Sequence, residues 1–125
     1  PREWAKWRAG ILRISADLMD PDHPGPPGML LAFAEKLSKH RDILSDSLDI
    51  IKTWLRDLMI CRYAPDKLIN RDCGPILQNL SRKMTVQSLL SKIDAVGAAQ
   101  KALVSNANPR LTLEVLVLRL SRSEL

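Results

Sequence analysis

A chain of 125 residues has the length of one domain, and at that size folding buries about 65–70% of the unfolded surface, so no disulfide or metal staple is required. Hydrophobic residues are 46% of the total and aromatics only 4%, so Leu and Ala carry the apolar content, which favours helices and argues against a β-sandwich. The net charge of +5 is compatible with nucleic acid or an acidic partner, but it is mild and dispersed and does not define a binding stripe.

The first helix is expected over Glu3 to Met19, where Trp4, Trp7, Ile11, Ile14 and Leu18 step by three and four beside a row of Ala5, Ala9, Leu12, Ala16 and Met19. Asp20-Pro21 ends it, because the residue before proline is pushed out of helical geometry. Pro21 to Gly28 contains four prolines and two glycines and reads as a surface loop. A second helix follows from about Gly28 to Lys39, with Leu30, Phe33, Ala34 and Leu37 on one face. The join near His40 to Asp42 has no strong breaker, which leaves open a single bent helix.

Ile43 to Met59 is the expected centre of the fold. Leu44, Leu48, Ile51, Leu55 and Leu58 form one row, and Ile43, Ile50 and Trp54 form a second. Two adjoining rows require cover on more than one side. Ser45, Asp49, Lys52 and Arg56 occupy the remaining stripe, with Asp49 and Lys52 spaced as an i,i+3 pair. Arg56 and Asp57, inside an otherwise apolar helix, read either as a tie to another helix of the domain or as a contact with a neighbouring subunit. The helix should stop before Pro65, near Tyr63-Ala64.

Asn70 to Lys83 reads as a short helix carrying Ile76, Leu77 and Leu80, interrupted early by Gly74-Pro75. Thr85 is placed to cap the next helix, which carries Val86, Leu89, Leu90, Ile93, Val96 and Leu103. Gly97, Ala98, Ala99 and Ala102 leave its middle thin enough for another backbone to approach. The last stretch alternates like a strand at Leu111 to Val115, but Asn108-Pro109 is a helix start and the apolar run to Leu120 exceeds ordinary strand length. As a helix it is apolar nearly all round: Leu111, Val115 and Leu118 on one row, Leu113, Val117 and Leu120 on another, Leu116 between. Such a helix is central to its own domain or shared with a neighbour.

Chemistry has little to stand on. Cys61, Cys73, His23 and His40 lack the paired spacing of a zinc site, and Asp42, Asp46 and Asp49 read as a solvated face near a helix start. No nucleophile motif is present, so neither a catalytic residue nor a cofactor is expected. The two cysteines give no reason to invoke a disulfide and suggest a reducing cytoplasm. No apolar run reaches the ~18 residues of a membrane span.

The run Asn106-Ala107-Asn108-Pro109-Arg110-Leu111-Thr112-Leu113-Glu114, followed by Leu116 to Leu120, resembles the C-terminal end of bacterial DNA polymerase III clamp-loader subunits. Trp54-Leu55-Arg56-Asp57-Leu58 resembles a segment of the delta-prime subunit, and Ala34 to Leu37 and Leu68-Ile69-Asn70 also fit it. The resemblance runs from about Leu30 onward, and its weight lies in the order and spacing of short motifs. It implies an all-α domain, a compact array of five to six helices like a clamp-loader collar domain. Such domains follow two AAA+ domains and pack into a ring with the C-terminal domains of the other subunits, tau/gamma and delta.

On this reading residues 1–125 are one oligomerisation domain of a longer subunit of a DNA-directed DNA polymerase holoenzyme, as the opening Pro1 also suggests. They do no chemistry of their own and meet DNA only indirectly or weakly. The missing Gly-x4-Gly-Lys-Ser/Thr loop and Ser-Arg-Cys motif fit that expectation. Two alternatives remain: the matching domain of the tau/gamma subunit, and a basic helical nucleic-acid-binding domain. The subunit interface is expected on Leu113, Leu116, Val117 and Leu120, with Arg56 as a further contact.

Overall fold

A computed structural model describes residues 2–22 and 26–122. Among them the secondary structure is entirely helical: α1 Arg2–Met19, α2 Pro27–Lys39, α3 Leu44–Ile60, α4 Gly74–Ser81, α5 Val86–Val104 and α6 Pro109–Ser121, with short 3-10 turns at Arg41–Ile43, Pro65–Lys67 and Arg71–Cys73. The apparent strand at Leu111 to Val115 is helix, as the Asn108-Pro109 start implies.

Helix α3 is the centre. Both of its apolar rows are covered, with Leu44, Leu48, Ile50, Ile51, Trp54, Leu55 and Leu58 all buried, and α1, α2, α4 and α5 pack around it. Its polar stripe faces outward, with one difference from the expected i,i+3 pairing. Asp49 and Lys52 do not bond each other; both reach Gln100 of α5, whose amide donates to Asp49 at 2.9 Å and accepts from Lys52 at 3.0 Å.

The single bent helix left open at His40 is not formed. His40 leaves helical geometry (φ −107°, ψ 60°), and its ring packs on Trp7 in a T-shaped arrangement with centroids 4.8 Å apart. The Trp7 indole N–H also donates to Ser47 at 2.7 Å. One α1 side chain therefore grips the α2–α3 junction, and a tertiary contact sets a boundary that local propensity leaves undecided. At Gly74-Pro75 the expected interruption is instead the first turn of α4, where proline's missing N–H is no loss. On the α1–α2 loop, Asp20 accepts from the Asp22 N–H at 3.0 Å, and Lys83 ion-pairs with both Asp20 and Asp22.

Helix α6 packs chiefly against α2 and α5, with a smaller contact on α1, rather than on the central helix. Leu113, Leu116, Val117 and Leu120 are at most 3% exposed. The four residues expected to meet a partner are thus covered by the domain's own helices. The row left outside is Leu111, Val115 and Leu118, at 61, 51 and 50% exposure. In the thin middle of α5, Ala99 is buried where the helix packs on its neighbours, whereas Gly97 faces open space, with nothing within 4 Å of where its Cβ would sit. That stretch forms the floor of a groove beside α6, of about 300 Å³, lined by Ala95, Ala98, Ala99 and Ala102.

Candidate functional site

The segment Trp54 to Leu58 is the last part of α3, and Asp57 in it is fully buried. Beyond α3 the chain turns, and Leu68 is buried in extended geometry, which brings Ile69 and Asn70 back beside the end of that helix. Asp57 accepts from the Ile69 N–H at 2.9 Å, from the Asn70 N–H at 2.7 Å, from the Asn70 side-chain amide at 2.9 Å and from Arg56 at 3.3 Å. The hydrogen-bonding capacity of this buried carboxyl group is thus satisfied within the domain.

Asn70, itself 1% exposed, extends the network. Its amide also donates to Thr53 at 3.2 Å, and its oxygen accepts from Arg8 of α1 at 2.7 Å. Arg8 in turn meets Asp72 at 3.2 Å; its hydrogen bond holds the Asp72 carboxyl below the usual carboxylate range. The Arg-Asp segment and the later Asn thus belong to one polar lock joining α1, α3 and the segment before α4. Asn70 carries no local signal of this role, because its partner Arg8 lies 62 positions away.

The salt bridge of Arg56 is to Asp57 on its own helix and not to another helix of the domain. Its guanidinium reaches Asp57 and, at 3.5 Å, the Lys67 carbonyl. The side chain nevertheless remains about half exposed, at 48%.

The Asn106-to-Leu111 run is a pair of helix caps. Asn106 sits at φ 64°, the left-handed position that ends helices. The Ala107 N–H bonds the Ala102 carbonyl at 3.0 Å and the Asn106 N–H bonds the Leu103 carbonyl at 3.2 Å, the paired bonds of a Schellman stop. Two residues later the Asn108 side chain accepts from the Leu111 N–H at 3.0 Å, with Pro109 in the first turn of α6. Arg110 and Leu111 follow, both exposed. The turn therefore fixes how α6 leaves α5, and with it the groove and the outward row. Thr85 caps α5 as its sequence position suggests, accepting from the Ser88 N–H at 3.0 Å.

Of the basic residues between Arg71 and Lys101, Arg82 and Lys101 are exposed, while Arg71, Lys83 and Lys92 are engaged within the domain. Arg71 donates to the Leu68 and Asp66 carbonyls. Lys83 is held by Asp20 and Asp22, and its hydrogen bonds to Asp22 and then Asp20 raise its pKa. Lys92 is 4% exposed and donates to the carbonyls of Leu120 at 2.9 Å and Arg122 at 2.6 Å. It lies three residues after buried Leu89 and four before buried Val96, so helical spacing places it on the inner face. Its ammonium serves the free carbonyls at the end of α6.

Among the described residues no three His, Cys, Asp or Glu side chains are grouped to hold a metal. Cys61 is buried against the Leu58 and Leu77 carbonyls, Cys73 is half-buried, and His40 is exposed; His23 lies outside the described residues. Asp42, Asp46 and Asp49 are all exposed. No helix among the described residues is long and apolar enough to cross a membrane.

The profile of the family described as "DNA polymerase III, delta subunit, C terminal" matches residues 25–122. Searches of curated proteins and of solved structures returned no match. The family match spans α2 to α6, including the buried lock at Asp57 and the double cap at Asn106 and Asn108. The chain therefore belongs to this family of C-terminal domains of DNA polymerase III, as the collar domain of the delta-prime clamp-loader protein, an oligomerisation module and not itself an enzyme.

Proposed function

We propose that this domain holds its parent protein in the clamp loader by packing with the C-terminal domains of tau/gamma and delta through the outward side of α5 and α6. DNA meets this domain only indirectly or weakly. The observation that carries the choice of surface is the exposed row of Leu111, Val115 and Leu118 beside the alanine-floored groove. Adjoining apolar surface of this kind marks an interaction site more often than a solvated face. Arg56, half exposed at the end of α3, is a second candidate contact, since arginine is a favoured interface anchor.

The test is aspartate at Leu111, Val115 or Leu118, with circular dichroism for folding and gel filtration with the partner C-terminal domains for assembly. Assembly should be lost while helicity is kept. Aspartate at Leu113 should instead unfold the domain, because an unpaired buried charge costs several kcal/mol against a total stability of about 5–15 kcal/mol. Undiminished assembly in all three outward variants would move the binding surface elsewhere.

A further inference from the structure

The α5–α6 face carries charge as well as apolar surface. Apart from buried Lys92, the two helices and the residue after them hold Lys101, Arg110, Arg119 and Arg122 against Asp94 and Glu114. None of these six side chains is ion-paired among the described residues. The face is therefore net positive, and its charges have no partners inside the domain.

Arg119 is the one charged residue of the groove lining among the described residues. It follows Val115 by four residues, and Arg122 follows Leu118 by four, so helical spacing sets both arginines at the end of the exposed apolar row. Glu114 is half-buried and outside the groove lining. Asp94 stands at the same end as the arginines, because Lys92, two residues before it, holds the carbonyls of Leu120 and Arg122. It too is outside the groove lining, and one carboxylate against two guanidiniums leaves that end positive.

These charges choose among occupants. A second copy of the chain would set the same face against itself, and like charges across an interface oppose contact. A phosphate backbone would match the arginines but leave Leu111, Val115 and Leu118 uncovered. A polypeptide with apolar side chains beside carboxylates covers both parts of the face.

On the reading that α5 and α6 form the subunit contact, we infer that the partner's contact segment carries large apolar side chains bordered by aspartate or glutamate, whose carboxylates meet Arg119 and Arg122. The arginines steer the encounter and fix its orientation, and the apolar row supplies the buried area.

The test is the association rate of the 125-residue chain with the tau/gamma and delta proteins, in low and in high salt. Arg119→Glu, at an exposed position, should slow association about tenfold in low salt with circular dichroism unchanged. Asp94→Lys, also at an exposed position, should speed it, an effect that a damaged fold cannot imitate. High salt should bring both variants close to the unaltered chain. Val115→Asp is the control for the surface itself.

If Val115→Asp abolishes assembly while Arg119→Glu associates as fast as Asp94→Lys, the contact lies on this face and the acidic partner is overturned. If Leu111→Asp, Val115→Asp and Leu118→Asp all assemble normally, the surface is elsewhere and both readings fall. A concentration-dependent dimer of the chain that Val115→Asp abolishes would give the face to a second copy and overturn the inference. Duplex DNA that displaces the partner proteins, and does so less well with Arg119→Glu, would give the arginines to phosphate and likewise overturn it.

Discussion

Asp57 shows at a single residue how a charged side chain can be central to a small helical domain. Its four donors come from α3 itself and from residues 69 and 70. Asp57→Ala should therefore strand two backbone N–H groups and the Asn70 amide, at a cost of about 3 kcal/mol or more. Arg56→Ala removes a half-exposed partner and should cost no more than about 1 kcal/mol. Urea unfolding of the two variants measures the difference; equal midpoints would mean that the lock is not a unit. The sequence marks Arg56 and Asp57 as unusual because they interrupt an apolar helix. It does not say which partner they choose, since Asn70 and Arg8 are brought to them by tertiary structure.

At the scale of the element, helix identity is largely legible because each helix carries its own periodicity and end signals. The Thr85 cap and the Asn108-Pro109 start are local hydrogen-bond chemistry, readable within four residues. The direction in which α6 faces is not readable in that way. Its two rows are similarly apolar, so hydrophobicity alone cannot choose which is buried. The choice depends on α2, α5 and α1 together, whose arrangement around α6 sequence spacing does not bring into view. Helix α5 offers a prediction of its own. Gly97 is in mid-helix with open space where a Cβ would sit, so Gly97→Ala should stabilise the domain by about 0.5–1 kcal/mol through backbone entropy. Thermal unfolding tests it, and a lower melting temperature would mean that the methyl group does meet a neighbour.

Over the whole molecule, one core cluster joins residues of all six helices, and the two thiols sample it at different depths. Cys61 is 3% exposed within that cluster. Cys73 is half-buried at the edge, with its pKa raised first by desolvation and then by the charge of Asp72. Cys73 should label in the native state, though more slowly than a free thiol at neutral pH, because less of it is thiolate. Cys61 should label only at the rate set by global opening. Adding urea below the unfolding midpoint should accelerate Cys61 steeply and Cys73 little. Parallel acceleration of both would show that α4 and the end of α3 open as a separate unit.

The near-uniform apolarity of α6 has a consequence for how orientation is encoded. A helix with a greasy and a polar side finds its rotation from that contrast. Here the contrast is almost absent, and the angular information falls instead to the polar groups at the two ends. Asn108 fixes the first turn, and the Lys92 ammonium holds the carbonyls of Leu120 and Arg122 at the last. Two hydrophilic residues thus pin the ends of a hydrophobic cylinder, and they act together with the packing on α2, α5 and α1 in holding one of its sides outward.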